Sequence, residues 1–128
     1  MNIAYACLIF AALSPLLLTL AAKAGGQVLG QRYNNRKPRE GLAQLDGWPK
    51  RANWAQQNSW EALPLILAGV LMATQAGVPQ ATIDTWALVF VAARVAYVIC
   101  YLADVHALRS LVWGIGTLAC FRLMVAAL

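Results

Sequence analysis

The sequence predicts an all-α integral membrane protein, a four-helix antiparallel bundle formed as one domain over residues 1–128. Three observations carry that expectation. Four apolar runs reach the roughly 20 residues needed to cross a hydrocarbon core. The last three of them are joined by connections of only a few residues, which makes successive helices antiparallel neighbours. The composition, 61% hydrophobic and 12% charged with a mean hydropathy of +0.60, is too apolar for a chain of 128 residues to bury its own surface in water.

The first run covers about residues 2–23 and contains Pro15, which is expected to kink it. Ala22-Lys23-Ala24 resembles a secretory cleavage site. The basic n-region is missing, however, and the apolar stretch exceeds the roughly 7–15 residues of an h-region, so the run reads as a retained helix. Gly25-Gly26 and the polar stretch QRYNNRKPREGLAQLDGWPK then form the one sizeable loop, residues 25–50. The second run, 52–76, contains Pro64, which is likewise expected to kink it. Gly77-Val78-Pro79-Gln80 makes a tight turn into the third run, 81–103, and Asp104-Val105-His106 an equally short break before the fourth, 107–127.

Seven of the ten basic residues (Lys23, Arg32, Arg36, Lys37, Arg39, Lys50, Arg51) lie on or beside the long loop, while the 77–80 turn has none. The positive-inside rule therefore puts the loop in the cytoplasm and both termini outside, with Arg122 as the one contrary vote. Read this way, the net charge of +5 is topological, and the expected surroundings are membrane lipids, with no nucleic acid. Cys7, Cys100 and Cys120 sit in apolar runs without paired spacing, so they read as buried free thiols, and no metal site is expected. His106 has no second ligand nearby in sequence and reads as solvated. Trp48, Trp54, Trp60, Trp86 and Trp113 are expected mainly as an aromatic belt.

Polar groups inside the second and third runs are the functional clue. Glu61 and Arg94 are ionisable residues at membrane depth, where a charge normally faces a bundle interior or a wet cavity. Counted from the predicted helix ends at Ala52 and Ala103, each lies nine residues in, roughly 13 Å deep. They are expected to pair or to share a ligand. At about 100° per residue, Arg51, Trp54, Asn58 and Glu61 share one helix face, and Arg94, Tyr97 and Tyr101 share another. Together the faces would line a polar cleft open to the cytoplasm, suited to a small, polar, anionic ligand. Interhelical hydrogen bonding without a ligand is the alternative reading of the same residues.

The segments RANWAQQNSWEALPLIL and RVAYVICY resemble the membrane-associated proteins in eicosanoid and glutathione metabolism, the MAPEG family. The elements that carry the resemblance are Asn58, Glu61 and Pro64 in one helix and Arg94, Tyr97 and Tyr101 in the next, and the run from Asn34 to Pro64 is closest to the bacterial branch. The resemblance implies a homotrimer in the bacterial inner membrane, with glutathione as cosubstrate between subunits at the cytoplasmic side. Groups matching Asn58, Glu61, Tyr97 and Tyr101 would hold it, with Arg51 and Arg94 beside them. Arg109, near the start of the fourth helix, would stabilise the thiolate as the catalytic residue.

This chain departs from the animal members in having Trp54 where they have an arginine and Ala62 where they have a tyrosine. Arg109 also follows Tyr101 by eight residues where they have seven, about 100° of helix rotation. Two functions stay open on these residues, an ion or solute pathway being disfavoured because the ionisable groups cluster toward one side and do not continue across. One is a glutathione-dependent transferase or peroxidase acting on lipophilic small molecules. The other is a non-catalytic trimeric membrane protein that is structural, lipid-binding or an accessory subunit.

Overall fold

The computed structural model describes residues 2–128. Five helices are present: α1 (Ile3–Val28), α2 (Pro38–Ala43), α3 (Trp48–Gln75), α4 (Gln80–Leu102) and α5 (His106–Ala126). Four of them are long, and α3 and α4 each pack against the other three long helices. Contacts at the helix ends fix the alternating directions. Asp84 near the start of α4 accepts from the Ala4 N–H at the start of α1 at 2.9 Å. Arg51 near the start of α3 donates to the Leu102 carbonyl at the end of α4 at 3.0 Å.

The long helices meet along seams of small residues. On α1 the buried positions include Ala4, Cys7, Ala11, Leu18 and Ala22, and on α3 they include Ala52, Ala55, Ser59, Ile66, Val70 and Ala73, mostly at three- and four-residue steps. Small side chains let helix axes approach closely, which is how helices associate when lipid removes the hydrophobic drive between them. The outward faces are also apolar: Ile9, Leu17 and Leu20 on α1 and Leu111, Leu118 and Val125 on α5 are all exposed. A bundle apolar inside and out is suited to a bilayer.

Three helices, α1, α4 and α5, are long and apolar enough to cross a membrane, so the protein is an integral membrane protein. The expected fourth run forms a helix, α3, of 28 residues, but its first half, from Trp48 to Glu61, is polar, and it is not among the helices apolar enough to cross a membrane.

Two boundaries differ from the sequence expectation. α1 runs five residues past 23, and α3 starts at Trp48, four residues before 52, so the loop shrinks to 29–47 and contains α2. The cause is Gly25-Gly26, which reads as a helix stop but is helical and buried. A Cβ on Gly25 would lie 2.1 Å from the Trp48 ring, and one on Gly26 would lie 2.6 Å from Leu45. These glycines are there for close approach. Gly47, at φ 68°, then turns the chain into α3, where Pro49 occupies the first turn.

A matched pair of substitutions tests this packing. Gly25→Ala should destabilise the protein by about 1–3 kcal/mol through overpacking against Trp48. Gly114→Ala, inside α5 with nothing within 4 Å of its Cβ, should be neutral or stabilise by about 0.5–1 kcal/mol. Denaturant unfolding in detergent micelles reads both.

Candidate functional site in the α3, α4 and α5 cleft

One-turn spacing puts the site residues on three facing stripes. α3 supplies Trp54, Asn58 and Glu61, α4 supplies Arg94, Tyr97 and Tyr101, and α5 supplies Arg109, Trp113 and Thr117. At the centre is Arg94, a residue only 6% exposed, with its guanidinium group held by two neutral acceptors. Its Nη1 donates to Asn58 Oδ1 at 2.7 Å and its Nη2 to Ser59 Oγ at 3.1 Å. Asn58 Nδ2 in turn donates to Glu61 Oε2 at 3.1 Å. The amide thus turns its acceptor to the cation and its donor to the carboxylate, as a residue with both functions can.

Glu61 and Arg94 do not pair directly, contrary to one form of the sequence expectation. Among the described residues, the ion pairs within 4.0 Å are Lys37–Glu40 and Lys50–Asp46. The register of α3 against α4 accounts for the difference. Arg51 of α3 meets Leu102 of α4, so Arg94, eight residues before Leu102, is level with Ser59, eight residues after Arg51, and with its neighbour Asn58, rather than with Glu61.

Aromatic rings continue the array toward the mouth of the cleft. Arg94 lies 4.2 Å from the Tyr97 ring centroid, Tyr97 meets Tyr101 edge-on at 5.5 Å, and Arg109 lies 4.5 Å over the Tyr101 ring. Trp54 completes this wall at 6.3 Å from Tyr101. Arg109 reaches Tyr101 despite the eight-residue spacing because the chain reverses between them at Asp104, which adopts φ 61°. Cations over aromatic faces are attracted by the ring quadrupole, which holds both guanidinium groups in place.

The cleft has a volume of about 540 Å³ and is lined by Trp54, Gln57, Asn58, Glu61, Tyr97, Tyr101 and Arg109. Ser110 and Trp113 extend it along α5. Behind Arg94 lies a smaller chamber of about 90 Å³, bounded by Ala62, Leu65, Phe90, Gly116, Thr117 and Cys120 among others.

Of the sequence-predicted site residues, six lie together on this cleft and chamber: Asn58, Glu61, Arg94, Tyr97, Tyr101 and Arg109. Arg51 is elsewhere. Its Nε and Nη2 both bond the Leu102 carbonyl, at 3.3 and 3.0 Å, which caps the end of α4. Ala62 lines the chamber and brings no donor. The sequence reading does not single out Ser59, although a hydroxyl residue on the mostly apolar seam of α3 is itself a signal. It also misses Trp113 and Thr117, for which four-residue steps from Arg109 are the available clue. His106 is exposed at the start of α5, and all three cysteines are buried and free.

The hydrogen bonds predict where coupling resides. In double-mutant cycles, Arg94→Met with Asn58→Leu should show an interaction of about 1.5–3 kcal/mol, the worth of a hydrogen bond to a charged group. Arg94→Met with Glu61→Gln should show a clearly smaller interaction, because Glu61 reaches the guanidinium only through Asn58. Equal coupling in the two cycles, measured by unfolding in micelles, would mean that Glu61 contacts the guanidinium itself.

No curated protein matches the chain, and no solved structure matches it. A family model, that of the MAPEG family, matches residues 3–128, essentially the whole chain and every helix of the site. The protein belongs to the MAPEG family.

Proposed function

We propose that the protein is a membrane-bound glutathione-dependent transferase or peroxidase acting on lipophilic electrophiles. The observation that carries this reading is the cleft of about 540 Å³ with the Arg109 cation at one side and the Asn58–Glu61–Arg94 network at the other. Its volume falls in the range of about 300–1,000 Å³ typical of small-molecule sites. Its charges also fit the ligand. Glutathione carries two carboxylates, an ammonium and a thiol. Arg109 and the tyrosine hydroxyls offer donors to the anionic groups, and Glu61, with one oxygen engaged by Asn58, offers the other to the ammonium. A cation next to the thiol raises the fraction present as thiolate, the nucleophile.

The cleft is open along α3 and α5, where Trp54 and Trp113 remain 43% and 47% exposed. A neighbouring subunit of a homotrimer would close it. In this reading α3 spans the membrane as a fourth helix, its polar half turned to the cleft. The basic 29–47 segment faces the cytoplasm of a bacterial inner membrane and both termini face outside. The lipophilic substrate arrives from the bilayer, and the chamber behind Arg94 lies next to the reacting sulfur.

The non-catalytic reading has its own support in Arg51, which is committed to the Leu102 carbonyl rather than to the cleft. In that reading the polar cleft stabilises the trimer or holds a lipid headgroup.

Calorimetric titration of glutathione, with thiolate absorbance and conjugation of a lipophilic electrophile, separates the two. The wild type should bind glutathione. Arg109→Ala should slow turnover by about 10²–10³-fold with little loss of affinity, as expected of a group acting on developing charge. Undetectable binding at millimolar glutathione favours the non-catalytic trimer. Arg51→Ala decides that residue separately: lost affinity assigns it to a glutathione carboxylate, and lost thermal stability alone leaves it as the α4 cap.

A further inference from the structure

Residues 23–51 hold the whole of the chain's excess charge. Seven Lys and Arg there stand against Glu40 and Asp46, a surplus of five that equals the net +5, whereas Arg94, Arg109 and Arg122 are balanced by Glu61, Asp84 and Asp104. The structure fixes this charge on one end of the bundle. Gln31 Nε2 donates to the Asp46 carbonyl at 3.1 Å, and the Asp46 N–H donates to Gln31 Oε1 at 2.8 Å. Leu42 and Leu45 are buried with Ala22 and Ala52. The segment is therefore folded against the helices and does not trail from them.

Its basic residues are unevenly satisfied. Lys37 pairs with Glu40 at 3.5 Å and Lys50 with Asp46 at 3.7 Å. Arg32, Arg36 and Arg39 are exposed and, among the described residues, have no carboxylate within 4.0 Å. Immediately before them, Val28 and Leu29 are 83% and 52% exposed at the end of α1, a helix apolar and long enough to cross a bilayer. Unpaired arginines thus follow bare aliphatic side chains at the boundary where hydrocarbon gives way to headgroups.

We propose that Arg32, Arg36 and Arg39, with Val28 and Leu29, form a docking surface for anionic phospholipids of the bordering leaflet. The guanidinium fork matches phosphate oxygens, and basic residues close to a membrane surface are attracted by its anionic lipids. A free phosphate shares the first interaction alone. The aliphatic pair adds contact with acyl chains, which only a lipid provides. The surface thus selects the lipids around the protein, in addition to orienting it in the membrane.

The test is reconstitution in nanodiscs of phosphatidylcholine with phosphatidylglycerol, the co-purifying lipid being counted by native mass spectrometry. Wild-type protein should be enriched in phosphatidylglycerol over the bulk ratio, and raising the salt should weaken the enrichment through screening. R32Q/R36Q/R39Q should lower it by at least about 5-fold, the equivalent of one surface cation. Arg122→Gln, at the opposite end, should leave it unchanged. The three arginines are on the surface, so the triple variant should unfold at the wild-type temperature in detergent, which verifies its fold. No enrichment in the wild type, or equal enrichment in the triple variant, overturns the proposal. So does equal stabilisation by soluble glycerol phosphate through the same arginines, which would mark a phosphate site without lipid docking.

Discussion

A guanidinium inside an apolar bundle costs several kcal/mol in lost hydration unless its donors are met by partners of good geometry. Arg94 is such a group, and much of the structure around it follows from that cost. No carboxylate lies within 4.0 Å among the described residues, so neutral acceptors, the Asn58 amide and the Ser59 hydroxyl, carry the compensation with the Tyr97 ring beside them. Ser59 is anchored in turn, its hydroxyl donating to the Ala55 carbonyl at 2.8 Å. Glu61 contributes one residue removed, through Asn58, from an exposed position where its charge can be solvated. The arrangement keeps a cation deep in the protein while leaving a carboxylate open to the cleft.

That requirement shapes α3, which does two jobs along its length. The first half carries the polar residues that serve Arg94 and wall the cleft, and it is the reason this helix is less apolar than the other three long ones. The second half is a membrane-type seam, where Gly69 brings α3 against α5. A Cβ on Gly69 would lie 3.0 Å from the Cys120 carbonyl oxygen and 3.1 Å from Leu123. Close helix approach on that side holds the bundle together, so the first half can leave space for the cleft.

The two ends of the bundle are correspondingly different. At the end holding the starts of α1 and α4, Asp84 accepts from the Ala4 N–H and the Gln80 amide, and Asn2 caps α1 by accepting from the Tyr5 N–H. Those bonds close that end. At the other end, Arg51 ties α3 to α4, the folded 29–47 segment covers Ala22 and Ala52, and the space between α3, α4 and α5 stays open beside Arg109. One end of the bundle is thus tied by hydrogen bonds, and the polar cleft opens toward the other.

The sequence by itself determined the class of solvent, the number of long helices and the residues that face one another across α3 and α4. Those features depend on composition and on helical periodicity, both of which are local. Asn58, Glu61, Arg94, Tyr97 and Tyr101 could be grouped from spacing alone because one turn of helix repeats every 3.6 residues whatever the partner. What tertiary structure decided is the pairing. The extension of α1 through Gly25-Gly26 depends on Trp48 and Leu45 lying against those glycines, a contact between distant residues that gives the local sequence no mark beyond the glycines themselves. The register of α3 against α4, with Arg51 at the Leu102 carbonyl, gives Arg94 to Asn58 and Ser59 in place of Glu61. Arg51 went to the Leu102 carbonyl for a similar reason, since the end of a neighbouring helix is a partner that only the packed bundle supplies.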